Sequence, residues 1–460
     1  MFRTSIHSGL LASVVWCASA AEPSFPLRLA ESRRHLVDQR GAPFLYQADT
    51  PWMLFAKLTE AEAEDYVARR KEQGFSVLQV QLTGFLGMTN LAGEFPFAGA
   101  PPEQDLARPN ETFFAHVDRV VANAQRQGML LAIAPAWSGC CGEGWAGRGE
   151  GGALKPLNAN GAEKAREFGR WLGRRYGKFD NVLWILGGDN DPSNARSEIR
   201  ALGLGLKDTA PQQLITYHAA STHSSTDVWP TEERWLDLSM VYSYFRGFNK
   251  AWNRNQPDIY EVSHAEFAKR PVRPFFLGES TYEGEHGDWG SALQVRKQAY
   301  WCVLGGGCGH AYGSPNWNFP GHWREVLELP GAKSLRHLRT VLESQAWWKL
   351  VPDVSNVVAV DGRGPYATND YAVTAIADDG SFALSYLPSK RTLTVNLARI
   401  SGQRISATWF NPRTGLTTWI GEFTDRRREA FEPTGDGDWV LVLADAAGKP
   451  MDPGKESSRP

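Results

Sequence analysis

At 460 residues the chain is long enough for two or three average domains, or for one large barrel with an appendage. Its 49 Lys plus Arg against 51 Asp plus Glu leave no one-sided charge, which excludes the electrostatic footprint of a nucleic-acid or anionic-membrane binder and favours a neutral ligand. Aromatic residues are abundant (18 Trp, 13 Tyr, 22 Phe); core packing accounts for most, but many lie beside Gly, Pro and Asn in loops, where flat rings can stack on sugar faces.

The first residues read as an export signal over residues 1–20. Arg3 supplies the positive charge, Gly9 to Trp16 the apolar stretch and Ala18-Ser19-Ala20 the cleavage site, so the mature chain is expected to start near Ala21 and to be secreted or periplasmic. Cys17 follows Trp16, a residue too large for a lipid-attachment signal. No later stretch approaches the roughly 20 apolar residues of a membrane span.

Residues 21–352 alternate short β-rich apolar runs with amphipathic helical stretches. The strands are "FLYQAD" (44–49), "SVLQVQL" (76–82), "MLLAIAPAW" (129–137), "NVLWILGGD" (181–189), "QLITYHA" (213–219), "LSMVYSYF" (238–245), "PFFLGES" (274–280) and "GHAYGS" (309–314). Helical patterns such as "TEAEAEDYVARRKEQG", with Thr59 capping and Glu62 three residues on, fall between them. Eight strands with their helices predict a (β/α)8 TIM barrel. A doubly wound sheet is the alternative, yet no GxGxxG follows the first strand.

After Pro352 the period shortens. "YAVTAIAD", "FALSYLP", "LTVNLARI", "ISATWFNP", "LTTWIGEF" and "DWVLVLAD" are alternating strands, predicting a small antiparallel β-sandwich over residues 353–446; the polar tail 447–460 reads as disordered.

Removal of the leader would leave Cys140, Cys141, Cys302 and Cys308 in an oxidising compartment. Cys140 and Cys141, in the Gly-rich loop "SGCCGEGWAGRGEGG", can join as a vicinal disulfide; otherwise each pairs elsewhere or stays reduced. No CxxC, HExxH or closely paired His pattern is present, and the histidines of "YHAASTH" read as loop residues, so no metal or other cofactor is expected.

In a barrel the C-terminal strand ends feed the loops that build an active site. Two acids stand there: Asp189 ends the fourth strand and Glu279 the seventh, each after a glycine that allows backbone and substrate a close approach. Two carboxylates across a pocket are what glycosidic cleavage requires, one protonating the departing oxygen and the other stabilising or bonding the sugar carbon. Their environments must differ so that one keeps its proton near neutral pH. A helix cap or a solvated turn would explain either acid alone. Asp49, Trp52, Gln81, Trp137, Asn190, His218, Tyr242, Tyr244 and Trp317 lie at or just after other strand ends, where they could bond sugar hydroxyls or floor the ring; for each, a packed or satisfied side chain is the plain alternative. Asp49 could instead cap the first barrel turn, and Asp191 before Pro192 reads as a turn residue. Glu283 and Glu285 follow Glu279 closely but fall in a loop.

At these residues the chain resembles glycoside hydrolase family 140, the apiosidase-like barrels. The likeness runs through "PFLYQADTPWMLFAKLTEAEAEDYVARRKEQGFSVLQVQL", "NVLWILGGDND", "LITYHAAST" and "PFFLGES". The final domain, with "WFNPRTG" and "GDWVLVL", resembles the collagen-binding-type module that follows this barrel, and it reads as a packing or glycan-contact accessory. The resemblance implies a retaining mechanism with Asp189 as acid/base and Glu279 as nucleophile, on branched plant polysaccharide such as apiose-bearing pectin. Gly-Gly-Asp-Asn stands where the wider clan of barrel glycosidases commonly carries Asn-Glu, and Ala48-Asp49-Thr50 where Gly-Asp-Thr is expected; Ala48 fits if its φ is negative. A non-catalytic glycan-binding or adhesin-like barrel is the alternative of another class, and collagen binding or collagenolysis a third. The expected partner is an oligosaccharide or polysaccharide, and the sequence leaves the oligomeric state open.

Overall fold

Each of the eight apolar runs forms a strand, and their buried-on-both-faces pattern is that of parallel strands covered by helices outside and side chains inside. In chain order they are β1 (Tyr46–Asp49), β2 (Val77–Gln81), β3 (Leu130–Ala134), β4 (Val182–Gly187), β5 (Ile215–His218), β6 (Ser239–Tyr242), β7 (Phe275–Glu279) and β8 (Gly309–Tyr312). A computed structural model describes residues 22–230, 233–250, 253–425 and 427–447. The expected leader lies outside the described residues, as does the tail beyond Ala447.

The sheet runs β5-β4-β3-β2-β1-β8-β7-β6, with every neighbouring pair parallel, in a (β/α)8 barrel. Side chains close the ring between β5 and β6. The Ser225 hydroxyl donates to Tyr217 O (2.6 Å) and accepts from Met240 N–H (2.8 Å), while Thr216 Oγ1 donates to Leu238 O (2.9 Å). Below the strand ends the interior is filled. Tyr46 stacks on Phe276 (3.9 Å between centroids) and donates to Gln79 Oε1 (2.9 Å), and Gln79 Nε2 donates to Gly278 O (2.6 Å). Helix Glu60–Glu72 starts on the expected capping box of Thr59 and Glu62.

The C-terminal region is an antiparallel sandwich of nine strands among the described residues, three more than the sequence pattern showed. They are β9 (Leu350–Pro352), β10 (Ala359–Asp361), β11 (Val373–Ala377), β12 (Phe382–Leu387), β13 (Leu393–Asn396), β14 (Ile405–Phe410), β15 (Thr417–Phe423), β16 (Arg428–Phe431) and β17 (Trp439–Asp445). One sheet has the order β9-β11-β12-β17-β14-β15 and the other β10-β13-β16. β9 pairs with β11, so the sandwich takes in Leu350–Pro352, which the sequence reading assigned to the barrel. Its larger sheet shares one apolar core with the barrel, meeting it at helix Ala292–Leu304. No described helix is long and apolar enough to cross a membrane.

Candidate active site

Strand β4 stops at Gly187, two residues short of the expected Asp189, and passes into a turn of three successive left-handed residues, Gly187 (φ 84°), Gly188 (φ 122°) and Asp189 (φ 50°). Such a φ costs a non-glycine residue about 1 kcal/mol or more, so packing must hold Asp189 there. Gly188 N–H donates to His218 O (2.9 Å) and Gly188 O accepts from Gly139 N–H (3.0 Å), pinning the turn between the loops after β3 and β5. A Cβ on Gly188 would lie 2.3 Å from the Trp137 ring, and one on Gly278 would lie 1.9 Å from Met240 Cε. Both glycines thus admit neighbouring side chains, where the sequence reading expected close approach of backbone and substrate.

Asp189 is half-buried, its Oδ1 is shielded with no hydrogen-bond partner, and the Tyr242 side chain adjoins its carboxyl. Glu279, the last residue of β7, is 3% exposed and accepts three side-chain hydrogen bonds. His218 Nε2 lies 2.6 Å from Oε2, while Tyr282 and Tyr244 donate to Oε1 at 2.7 and 3.2 Å. Trp52 Nε1 donates in turn to the Tyr282 hydroxyl (2.8 Å). His218 Nδ1 faces both Asp189 N–H (3.1 Å) and Ala219 O (3.0 Å), so Nε2 keeps its proton on Glu279 whether the ring is neutral or charged. One atom each of Asp189, His218 and Glu279 lie within 4.8 Å of one another.

Burial, and then the Glu279 charge, push the Asp189 carboxyl well above the ordinary aspartate range, against His218 and Tyr242. Burial pulls His218 down, but its bond to Glu279 and the two carboxylates outweigh it and raise the ring above its ordinary value. Burial first, and then the acids, raise Tyr242, Tyr244 and Tyr282, so all three remain neutral donors. The result is an acid disposed to hold a proton beside a carboxylate with three donors aimed at its charge.

Trp52, Trp137, His218, Tyr242 and Tyr244 join this cluster. Trp137 lies 5.1 Å and Tyr242 4.9 Å from the His218 ring, and Trp52 lies 4.9 Å from Trp137 between centroids. Gln81 is buried, donates its N–H to Trp52 O (2.8 Å), and its Oε1 has no protein partner. Asn190 shapes the loop: its Nδ2 donates to Gly139 O (2.9 Å) and its carbonyl accepts from Tyr217 OH (2.7 Å). Half-buried Trp317 bonds Glu285 Oε1 (2.9 Å) and lies 6.2 Å from Phe85. Asp49 does not join. Its carboxylate is buried in an ion pair with Arg70 Nε (2.7 Å) and a bond from Tyr66 OH, so it neither faces the cluster nor caps a turn. Ala48 is not among the positive-φ residues. Glu283 is also committed, accepting from Tyr312 OH (2.6 Å) and Gly331 N–H (2.7 Å). Tyr282 escaped the sequence reading because it lies in the loop beyond the β7 end.

Cys140 and Cys141 are joined as a vicinal disulfide, and their N–H groups donate to the Glu143 carboxylate at 3.2 and 2.9 Å. Among the described residues, two groups have the spacing of a cation site: this one, and Asp189-His218-Glu279. The disulfide leaves the first no thiolate, and in the second His218 Nε2 and both Glu279 oxygens are already hydrogen-bonded.

Residues 30–349 match the family described as "Apiosidase-like, catalytic domain", and residues 351–444 match "Putative collagen-binding domain of a collagenase". No curated protein matches the chain. Among solved structures, one titled "Glycoside hydrolase" superposes with a TM-score of 0.79 at 24% identity, covering 93% of this chain and 98% of that one. A glycoside hydrolase family 5 protein from Bacteroides vulgatus ATCC 8482 gives a TM-score of 0.79 at 25% identity, covering 94% and 95% of the two chains.

Proposed function

Since the chain belongs to the apiosidase-like catalytic-domain family, we propose that it is a retaining glycoside hydrolase of family 140 type, exported to the periplasm or beyond, acting on branched plant polysaccharide. The family description supports apiose as the released sugar, and side chains of pectin are the substrate class in which we place it. The observation that carries this reading is the close, unequal acid pair: oxygens of Asp189 and Glu279 within 4.8 Å, one carboxyl raised by burial and its neighbour, the other held by three donors. That approach of single oxygens is compatible with double displacement, which needs carboxyl groups roughly 5–5.5 Å apart, where inversion needs roughly 6.5–9.5 Å to admit a water.

Glu279 attacks the anomeric carbon as Asp189 passes its proton to the leaving oxygen, forming a glycosyl ester and releasing the alcohol. Asp189, now ionised, takes a proton from water, whose oxygen attacks the same carbon and frees Glu279. Tyr244, Tyr282 and His218 keep the attacking carboxylate in one orientation, and Trp52 holds Tyr282.

The test is incubation of the full-length protein with a panel of pectic oligosaccharides, with released sugars separated by chromatography and the first-formed anomer read by NMR. Release of apiose with retained configuration is expected. An inverted first product overturns the retaining mechanism, release of other sugars alone overturns the apiose assignment, and tight binding without release favours the glycan-binding alternative.

A further inference from the structure

Helix Ala292–Leu304 is buried at every position from Gln294 to Leu304, which a helix with one solvent face would not show. The barrel covers one side and the sandwich the other. On the sandwich side, Arg296 Nε and Nη2 grip Asp438 at 2.8 and 3.0 Å, and Tyr386 OH donates to the same carboxylate (3.0 Å). Tyr300 stacks on Tyr386 (4.5 Å, 1° between planes), and Trp301 Nε1 donates to Tyr371 O (3.0 Å).

On the barrel side, the amide of Gln298 reaches the loops around the acid pair. Its Oε1 accepts from Thr281 N–H (3.0 Å), and its Nε2 donates to Ser243 O (2.9 Å) and to Tyr244 O. One side chain therefore ties the segment after β6 to the segment after β7, and these carry Tyr244 and Tyr282, two of the three donors on Glu279. Only a primary amide offers the acceptor and the donors this place uses: a carboxylate lacks donors, and a thioether lacks donors and accepts only weakly.

We propose that Gln298 is a positioning residue for the glycosidase reaction, and that the C-terminal sandwich, gripping the same helix through Asp438 and Tyr386, holds it in register. The inference rests on Glu279 as nucleophile and makes the sandwich part of the reaction apparatus, where its family description would make it a separable polymer-docking module. Loss of the tie lets the two tyrosines drift from Glu279. Misplacement of about 1 Å can cost about 100-fold in rate, while Trp137 and Gln81, which the tie does not touch, keep substrate affinity.

The test uses full-length Gln298→Met and Asp438→Asn on an aryl glycoside, with a nitrophenolate leaving group, of whichever sugar the wild type releases. Folded fraction is set by size-exclusion chromatography and a cooperative thermal melt, so that misfolded protein is not scored as slow enzyme. We expect kcat per folded molecule to fall about 10- to 100-fold with KM within about twofold. Unchanged kcat with a raised KM on polymer overturns the inference in favour of docking. Should the wild type release no sugar, the functional reading fails, and hydrogen exchange judges the tie separately. Faster exchange confined to 243–246 and 279–284 in Asp438→Asn supports the coupling, and identical exchange overturns it.

Discussion

The turn after β4 and the end of β7 each present one acid to the same space, and they hold it by opposite means. Asp189 is half-buried on a left-handed turn of glycines, with one oxygen unpartnered and its carboxyl pushed toward the protonated form. Glu279 is the last residue of a regular strand, and hydrogen bonds fix both oxygens. A group that must give and recover a proton benefits from burial and a nearby charge; one that must attack along a single line benefits from donors that set its orientation.

The widest break in that contrast is Glu279→Ala, which should lower turnover by about 10^4-fold or more while leaving substrate binding measurable. Retained activity would remove Glu279 from the nucleophile role. Asp189→Asn should cost about 10^2- to 10^4-fold on substrates with poor leaving groups, and, read as kcat/KM, much less on aryl glycosides, whose leaving group departs without a proton, although their kcat still falls because the second step loses its base. It should also stabilise. A carboxyl whose folded pKa is raised retains a proton that the unfolded chain releases, so stability falls as pH rises above about 3.9, the unfolded value. Asparagine has no such dependence, and calorimetry should show Tm higher by about 1–2 °C at neutral pH, with the gain vanishing toward acid pH. A Tm lowered at neutral pH would contradict the raised carboxyl. The smallest effects separate the two glycines. Gly188→Ala drives a Cβ into the Trp137 ring at positive φ and should cost about 3 kcal/mol in denaturant unfolding, whereas Gly278→Ala, with no positive φ, meets Cε, Cγ and Sδ of Met240, an unbranched side chain that can change rotamer, at about 1–2 kcal/mol. Equal costs would mean that the β4 turn carries no special constraint.

Much of this was legible along the chain. The apolar runs and intervening helical periods marked all eight barrel strands, and each Gly-acid stop marked a strand end. Strand-end position alone selected Asp49, which follows Ala48, and its carboxylate turns instead to Arg70 on a following helix, because strand-end position does not say which neighbour a side chain meets. The added sandwich strands β9, β10 and β16 are three or four residues long, too short for alternation to declare itself. Gln298 reads as an ordinary polar helix residue; it is buried by the loops after β6 and β7, which meet over it only in the closed barrel, as sequence periodicity cannot show.

The pairing of Cys140 with Cys141 also bears on handling the molecule. Of the described cysteines it leaves only Cys302 and Cys308 as thiols, both buried, with burial pushing Cys302 up to about 12 and Cys308 higher still. Alkylating reagents attack thiolates that they can reach, so the folded protein should stay silent to them. Uptake of label would then count molecules that have opened their cores, and a cysteine engineered onto the surface would be the one place a probe attaches among the described residues.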